Sequence, residues 1–571
     1  MTDLAPLSWV RTPSLVFWQT CDGPVSSLEA TALRHGQHSH RKLLLRTFAE
    51  AVGAVGDELG PFRTDRAWEL LDAAEQESPE AVAEVVMYPS VGIWLSRVLR
   101  QVLGRRLDDT PLWSEVGGFH ALAAAVAVRS GLEFEIDVPV VHGVVWLPSV
   151  GVLRTDRPTG HAVLRGGSGG FELTIDGEVQ RPRLEAVRHH VAKAGGRALR
   201  IVLDDVDPYR EFSAPLPPRP LAEQERAEWF RQMDGAWELL MARHPGFADE
   251  LSACLASIVP LAGRDMFAVS SSAAFGSVAM SPKASAVEFA EALTHEIQHS
   301  KVNALLDLAV LCRDGDDCRF HVPWLDHPRG VTGLLHGVYA FCSVVEYWFV
   351  ERNFVAPELA RRARFNFSYR RHQVAEVLSY LGDLPELTDL GREFVMGVSA
   401  RLDACPATDL PGDLAQDVEW VNTDHHVLWR LRHVQPDKQV AEALAEAWLA
   451  GEACDQDFGP DVVAVSPESG RSPLGTLLKA RALEGRASAG TDAEGAFLHG
   501  DLDHAAKLFA ARLEASPKDL TAWSGLALAS GSATLLRRPE VVHAVYHALA
   551  LRGGTKPDPF ALTAWFDQTA S

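Results

Sequence analysis

The run from Leu293 to His299, which reads Leu-Thr-His-Glu-Ile-Gln-His, constrains this chain more than any other segment. It places His295 and His299 four residues apart, with Glu296 between them. In an α-helix, this spacing brings both imidazoles to one face, a single turn apart, where they can hold one metal ion. Three polar side chains in a buried helix are costly without a partner, and a metal ion is a natural partner. The alternative is a pair of polar core histidines beside a hydrogen-bonded glutamate.

The sequence around this motif predicts a long helix from Ser285 to about residue 310. Ser285 followed by Glu288 is a capping-box pattern, which marks a helix N-terminus. No glycine or proline interrupts the segment, and apolar residues recur in it at helical spacing. These apolar residues are Val287, Ala290, Leu293, Ile297, Ala304, Leu305 and Leu308. The motif is therefore expected in the middle of a largely buried helix.

Two histidines alone do not hold a catalytic metal ion, so a third protein ligand must come from elsewhere in the chain. The next apolar helix, predicted for residues 334–349, contains His336 and Glu346. His336 is favoured as the third ligand because it is a polar misfit near the start of this hydrophobic helix. Glu346, about three turns further along, is the alternative ligand.

Other histidines fit a metal site less well. His321 and His327 lie in the proline-containing loop between the two helices, where solvated side chains are expected. His425 and His426 are adjacent, and neighbouring residues point in different directions on any regular element. They are therefore not an obvious chelating pair.

The identity of the metal decides the chemistry, and the motif does not decide the metal. With zinc, Glu296 is the general base of a hydrolase in which metal-bound water attacks the substrate. With iron(II), three protein ligands leave three coordination positions open for a keto acid and dioxygen. The residues alone favour a zinc hydrolase.

Several sequence blocks around the motif match those of one bacterial family. The longest is the run from His295 to Leu308, HEIQHSKVNALLDL, beside the family's H-E-F-Q-H-x-K-L-x-A-L-L-D-L. Further blocks are Tyr88–Gly92, Leu203–Arg210, Ala274–Ser281, Pro323–Arg329, Gly333–Phe341 and Trp429–His433. On these blocks, which span roughly residues 30 to 435, the chain resembles the H-E-x-x-H peptide-modification proteins. These are grouped as 2-oxoglutarate-dependent peptide β-hydroxylases that act on ribosomally made precursor peptides.

The resemblance implies an oxygenase that uses iron(II), 2-oxoglutarate and dioxygen to hydroxylate side chains of a precursor peptide. It implies His295, His299 and His336 as iron ligands, with Glu296 outside the ligand set. Degenerate relatives carry glutamine at the third position, so the intact His336 implies an active member. Two residues depart from the pattern: Ile297 replaces an aromatic residue, and Leu325 replaces a basic one. A partner maturation enzyme is a further possible implication.

The keto-acid co-substrate needs a cation or hydroxyl groups for its distal carboxylate. The candidate anchors are Lys301, Arg329, Arg430, Arg432, Ser271 and Ser272. An arginine suits a carboxylate better than a lysine because it offers a bidentate clamp. Lys301 points away from the ligand face of its helix, and a surface lysine is its alternative interpretation.

Composition restricts the partners and the location. The net charge of −22 argues against non-specific nucleic-acid binding, which needs a basic surface. We expect no membrane span and no signal peptide, because residues 1–18 lack a cationic start followed by a long apolar run. The seven cysteines are scattered, and Cys312 and Cys318, the closest pair, match no zinc ribbon. Free thiols in the cytoplasm are therefore predicted.

The predicted fold class is mainly α with an α+β portion, divided into four regions. These are a helical N-terminal region (1–126), a β-rich segment (127–212), a helical catalytic core with the H-E-x-x-H helix (221–450) and a C-terminal helical region (474–571). Strands are expected at 134–140, 144–147, 171–175 and 200–203, with a tight turn at His142-Gly143.

Residues 500–528 resemble one tetratricopeptide-like helix pair. A single repeat is too short for a solenoid, so this pair is expected to cap the packing rather than to form a docking groove. Two functions compete with the hydroxylase. One is a zinc metallopeptidase with Glu296 as general base, and the other is a non-catalytic scaffold that binds peptide.

Overall fold

The computed structural model describes residues 14–53, 61–105, 107–262, 268–313, 319–454, 458–486, 490–553 and 557–568. Cys318 and the first thirteen residues, which carried sequence-based expectations, lie outside this part of the chain. The chain divides into two units, Met1–Val310 and Leu311–Ser571. Helix makes up 58% of the structure and strand 13%, so the class is mixed α+β. The boundary between the units falls inside the predicted core region 221–450, directly after the motif helix.

The first unit contains helices and the two larger β-sheets. Its described helices are α1 (Ser14–Cys21), α2 (Ser27–Gly53), α3 (Thr64–Glu77), α4 (Pro79–Val86), α5 (Pro89–Val102), α6 (Leu112–Ser130), α7 (Glu223–Arg243), α8 (Pro245–Cys254) and α9 (Ala286–Leu306). Its strands are β1 (Phe134–Val141), β2 (Val144–Leu147), β3 (Gly151–Arg154), β4 (Thr159–Gly167), β5 (Gly170–Ile175), β6 (Glu178–Gln180), β7 (Leu184–Ala186), β8 (Arg188–Ala194), β9 (Arg197–Leu203), β10 (Ser257–Pro260), β11 (Ala268–Val269) and β12 (Ser277–Met280).

The larger sheet is a curled, antiparallel sheet with the strand order β6-β5-β4-β1-β2-β3-β7. The tight turn predicted between its strands β1 and β2 is confirmed, because His142 and Gly143 both have a positive φ, 52° and 73°. Two successive positive φ values match the right-handed twist of a two-residue hairpin. Apolar side chains of β1 and β2 pack with those of α6 in one core cluster, as the alternating pattern of β1 requires.

The smaller sheet leads into the motif helix. Its order is β11-β12-β10-β9-β8, in which β10 pairs in parallel with both β9 and β12. The inner strands β10 and β12 are almost wholly buried, as expected of parallel strands covered on both faces. Strand β12 ends at Met280, and α9 begins six residues later at Ala286. The buried sheet therefore holds the chain directly before the motif helix.

Two buried carboxylates tie the turn after β9 to distant parts of the first unit. The Tyr88 hydroxyl donates to Asp204 Oδ2 at 2.7 Å, and the Ser90 hydroxyl donates to Asp207 Oδ2 at 2.6 Å. The Trp146 indole N–H donates to the same oxygen of Asp207 at 2.8 Å. Burial raises the pKa of Asp207 to about 7, and the neighbouring Asp204 adds to the rise. These carboxylates thus join two sequence blocks that lie more than one hundred residues apart.

In its described residues, the second unit is helical apart from one short strand pair and two isolated β-bridges. Its described helices are α10 (Val331–Glu351), α11 (Ala360–Leu381), α12 (Asp389–Asp403), α13 (Gly412–His433), α14 (Lys438–Ala450), α15 (Pro473–Glu484), α16 (Ala493–Leu498), α17 (Leu502–Ala515), α18 (Leu520–Ser530), α19 (Ala533–Arg537), α20 (Pro539–Gly553) and α21 (Pro559–Asp567). A 3-10 helix (Pro357–Leu359) precedes α11, and β13 (Val434–Gln435) pairs with β14 (Val462–Val463). Helix α13 shares a core cluster of apolar side chains with α15, α18 and α20.

Helix α10 differs from one expectation. By length and composition it could cross a membrane, although no apolar stretch of that kind was expected. Yet 67% of its apolar window is buried inside the structure. An apolar helix covered by protein to this extent is typical of a core helix.

The described cysteines are free thiols, as predicted. They are Cys21, Cys254, Cys312, Cys342, Cys405 and Cys454. Burial raises the pKa of Cys254 and of Cys342 to about 12. Because the thiolate is the reactive form, these two side chains behave as small apolar groups in the core.

Replacement of Asp207 by asparagine tests the buried carboxylates. Whichever way the new amide is turned, its NH₂ group faces a donor: Ser90 and Trp146 on one side, or the Tyr209 N–H on the other. We expect Asp207→Asn to lower the free energy of unfolding by about 1–3 kcal/mol, the cost of a buried donor without an acceptor. Urea denaturation at pH 8, where Asp207 is charged, measures this change.

The matched control is Asp72→Asn on α3, where the side chain is exposed. A change at such a site is expected to stay within about 0.5 kcal/mol. Equal stability of the Asp207→Asn and Asp72→Asn proteins would contradict the structural role of Asp207.

Candidate metal centre

Helix α9 carries the H-E-x-x-H motif in its middle turns, as predicted. Ser285 is the N-cap, and its hydroxyl accepts from the Glu288 N–H at 3.2 Å. The returning bond of the predicted capping box differs in detail, because the Glu288 carboxylate accepts from the Ala284 N–H at 3.1 Å. The cap sets where the helix begins and hence which residues face the core.

The two motif histidines are spaced to share one ion. Nε2 of His295 lies 3.3 Å from Nε2 of His299, and the two rings meet edge to face at 87°. Two ligand nitrogens about 2.1 Å from one metal ion, at octahedral or tetrahedral angles, lie about 3.0–3.4 Å apart. The observed separation falls in this range. The same distance also allows a hydrogen bond between the two imidazoles.

Glu296 places a buried carboxylate beside this pair. Its side chain is 6% exposed, and its Oε1 lies 4.0 Å from His295 Nε2. The Ser270 hydroxyl donates to Oε2 at 2.9 Å. Burial raises the pKa of Glu296 to about 7, against the opposing effects of Ser270 and of the Lys283 charge. The ligand atoms of His295, Glu296 and His299 all lie within 4.8 Å of one another.

Lys301 lies on a different face of α9, inside a buried polar network. The Glu250 carboxylate forms an ion pair with its ammonium group, and both side chains are fully buried. The ammonium also donates to Gln298 Oε1 at 3.0 Å and to the Gly23 carbonyl at 3.2 Å. The expectation of a surface lysine is therefore wrong. Because an ammonium has three N–H donors, these contacts leave none for a co-substrate.

The predicted hydroxyl anchors lie in a separate cleft. Ser271 and Ser272, together with Arg100 and Phe212, line a cleft of about 420 Å³. The hydroxyl that contacts the motif belongs to Ser270, which sequence reasoning missed. The sequence did contain a signal for this residue, because Ser270 begins a run of three serines before the motif helix. Which of the three points toward Glu296 depends on how the chain leaves β11.

His336 lies in the second turn of α10, within the second unit. It is half-buried, and burial lowers its pKa to about 4, so the imidazole is neutral at pH 7. A neutral imidazole is the form that binds metal ions. Glu346, its competitor as third ligand, is held by Arg401 in a bidentate ion pair at 2.9 and 2.7 Å. Glu346 is thus less available as a ligand than His336.

The three candidate arginines of the second unit have different surroundings. Arg329 is exposed. Arg430 is engaged by two carboxylates, those of Glu540 and Asp461, through bonds of 2.8–3.0 Å. Arg432 is half-buried, and its Nε has no hydrogen-bond partner among the described residues. Of the three, Arg432 is the best placed to accept an additional anionic group.

One expectation about the remaining histidines is wrong. His327 is exposed, as expected of a loop residue, but the side chain of His321 is only 12% exposed. The ring of His321 contacts those of both His425 and His426. Sequence reasoning missed this cluster because its members come from separate elements of the second unit.

Loss of Lys301 tests whether this residue is structural. Lys301→Met leaves the Glu250 charge buried without its cation, which we expect to lower the free energy of unfolding by about 3–5 kcal/mol. Urea denaturation measures the loss. The double variant Glu250→Gln/Lys301→Met removes both charges and is expected to recover part of the stability.

A different result would show that Lys301 anchors the co-substrate. If Lys301→Met were as stable as the unchanged protein but no longer bound 2-oxoglutarate, the assignment of a structural role to Lys301 would be refuted.

Helix α9 carries the candidate ligand pair His295 and His299, and α10 carries the candidate third ligand His336. No protein-family model matches this chain, and no curated protein matches it. Its function is therefore inferred from its own residues and from the block resemblance described above.

Proposed function

We propose that this protein is an iron(II)- and 2-oxoglutarate-dependent hydroxylase that modifies β-carbons of side chains in a ribosomally synthesised precursor peptide. The observation that carries the proposal is the 3.3 Å spacing of His295 and His299 Nε2 within the longest resembling block. The third ligand, His336, is taken from the resemblance. Its neutral, half-buried imidazole suits that role.

Iron(II), with 2-oxoglutarate and dioxygen, would supply the oxidising chemistry at this centre. His295 and His299, which lie on one face of α9, would hold the ion, and His336 would supply the third protein nitrogen. Ser270 donates to Glu296 and thereby orients this carboxylate beside the ligands. Such outer partners are important because they set the direction and basicity of the groups near a metal.

The network on the other face of α9 keeps the ligands in place. Lys301, Glu250 and Gln298 hold one another through short polar contacts in a fully buried environment. A shift of α9 would break this buried ion pair, which is strongly unfavourable. The helix is therefore rigid where it presents its two histidines.

Arg432 is the proposed anchor for the distal carboxylate of 2-oxoglutarate. Its guanidinium has spare donor capacity, whereas Arg430 and Lys301 are already paired with carboxylates of the protein. A guanidinium can grip a carboxylate through two parallel N–H bonds. Ser271, Ser272 and Arg329 remain alternative anchors.

The peptide substrate fits an acidic, cytoplasmic protein. A net charge of −22 favours a basic or neutral peptide over nucleic acid. We assign α17 and α18 a capping role, as a tetratricopeptide-like pair. The Phe509 ring of α17 lies directly over Gly525 of α18, where an added Cβ would come within 2.4 Å. Such close packing closes the space between the two helices.

A zinc hydrolase is the second candidate, and one observation favours it. The Glu296 carboxylate lies 4.0 Å from His295 Nε2. A general base for a metal-bound water would lie at such a position beside the ligands. Under this alternative, Glu296 is catalytic and the peptide is cleaved. Under the hydroxylase proposal, Glu296 orients neighbouring groups and the peptide stays whole.

Removal of single ligands tests the iron site. Anaerobic protein with iron(II) should gain a weak visible absorption band when 2-oxoglutarate is added, because the keto acid chelates the ion. We expect His299→Ala and His336→Ala to lose this band. Their iron affinity should fall by more than the roughly 10–100-fold that loss of an outer partner costs. The exposed His35→Ala is the control and should keep the band.

The Glu296→Gln variant separates the two candidate functions. A hydroxylase should retain the band and still add one oxygen atom to the peptide, as measured by mass spectrometry. A zinc hydrolase should bind zinc and lose all peptide cleavage. Tight zinc binding by the unchanged protein, with peptide cleavage and no band, would overturn the hydroxylase proposal.

The anchor proposal predicts a difference between two arginines. Arg432→Ala should weaken 2-oxoglutarate binding about 10- to 100-fold, as expected for loss of a charge-assisted bond, and should spare iron. The exposed Arg329→Ala is the matched control, with an expected change of less than about twofold. Titration of the visible band with 2-oxoglutarate measures both. Equal binding by the two variants would place the anchor elsewhere.

A further inference from the structure

A second cluster of ligand-type side chains lies wholly within the second unit. It consists of His321 before α10, Glu376 on α11 and His426 on α13, and their ligand atoms lie within 4.8 Å of one another. None of the three belongs to the proposed iron centre. Residues so far apart in sequence meet only because the fold brings three separate elements to one point.

The distances inside this cluster suit a shared ion. His321 Nδ1 lies 3.1 Å from Glu376 Oε1. The rings of His321 and His426 meet edge to face at 88°, with centroids 5.0 Å apart. The motif pair His295 and His299 shows nearly the same arrangement, at 87° and 4.9 Å. Ligand atoms bound to one ion at about 2.1 Å lie about 3.0–3.4 Å apart, which includes the His321–Glu376 distance.

The partners of His321 determine where its proton lies. His321 Nε2 is 3.1 Å from His425 Nδ1, and His425 Nε2 is 3.5 Å from Asp326 Oδ1. Asp326 is ionised, because His425 and the Gly470 N–H hold its pKa well below the usual range. This carboxylate favours a proton on His425 Nε2. His425 Nδ1 then accepts from His321 Nε2–H, which leaves a lone pair on His321 Nδ1.

That lone pair faces the Glu376 carboxylate. Two acceptors only 3.1 Å apart repel each other unless a proton or a metal cation lies between them. An additional proton would make the histidine pair cationic, which is costly where the side chains of His321 and His425 are only 12% and 8% exposed. A bound metal ion satisfies both acceptors, and their direct coordination offsets the cost of placing its charge there.

His426 adds a third donor atom and access to solvent. Neither of its ring nitrogens has a hydrogen-bond partner within the described part of the chain. His426 and Glu376 both line a cleft of about 740 Å³, whose other walls include Arg371 and Asn422. A small molecule could therefore reach an ion held at this point.

We propose that His321 Nδ1, Glu376 and His426 form a second metal site, for a divalent first-row transition ion such as Zn²⁺ or Fe²⁺. Two imidazoles and one carboxylate select such ions over Mg²⁺ and Ca²⁺, which prefer all-oxygen sites. Because Glu376 and His426 line the cleft, a small ligand in the cleft would reach an ion that they hold, and Arg371 would attract an anionic one. His425 and Asp326 are the outer partners that orient His321.

Metal stoichiometry of the full-length protein tests this site. The chelator-treated chain is dialysed against Zn²⁺ alone, and bound metal is measured by mass spectrometry. We expect two ions per chain in the unchanged protein, one in His426→Ala, one in His299→Ala and none in the double variant. The exposed His504→Ala is the control for loss of a histidine and should keep both ions.

Glu376→Gln distinguishes loss of the metal site from loss of the fold, because it keeps the size of the side chain and removes only the charge. This variant should weaken binding of the second ion at least tenfold and leave the circular dichroism spectrum unchanged. If His426→Ala and Glu376→Gln both bind as much Zn²⁺ as the unchanged protein, the second site is refuted and the cluster is a protonated histidine pair.

The same measurement separates this inference from the proposed function. A single ion that is lost in His426→Ala and kept in His299→Ala would support the second site and refute metal binding at the motif. A single ion with the opposite behaviour would refute the second site and leave the hydroxylase proposal standing.

Discussion

The buried ion pair between Lys301 and Glu250 is the interaction on which the proposed centre depends. Both side chains are fully buried, and Gln298 and the Gly23 carbonyl complete the network. Neither charge can be left alone at this depth, because an unpaired buried charge costs several kcal/mol. Helix α9 is thereby held from one side, while its other side presents His295 and His299. A polar network thus positions the candidate metal ligands His295 and His299 from the opposite face of their helix.

Two carboxylates, buried Asp207 and half-buried Glu376, differ in the groups that surround them. Asp207 accepts bonds from Ser90, Trp146 and a backbone N–H, so its acceptor capacity is used within the protein. Glu376 instead shares its surroundings with imidazoles whose lone pairs also need a partner. The first arrangement stabilises a fold, and the second leaves room for a cation. The groups that satisfy each carboxylate thus distinguish a structural acidic residue from a candidate metal ligand.

Sequence reasoning succeeded where the interaction is local. The Ser285 cap, the helix that follows and the one-turn spacing of His295 and His299 all depend on residues within a few positions of each other. The hairpin at His142-Gly143 is local in the same sense. It failed for His321, which was expected in solvent, and the alternative interpretation of Lys301 as a surface lysine is also wrong. Lys301 is buried by its contacts with Glu250 and Gly23, and His321 by α11 and α13.

The sequence by itself determined the helix of the motif and the spacing of its ligand pair, because the 3.6-residue period and the cap act within one element. Tertiary structure alone decided that Ser270 meets Glu296, that Glu346 is held by Arg401 and that His321 meets Glu376 and His426. Each of these contacts joins elements far apart in the chain. Their formation follows from how apolar faces pack, and no spacing along the sequence encodes which polar side chains that packing brings together.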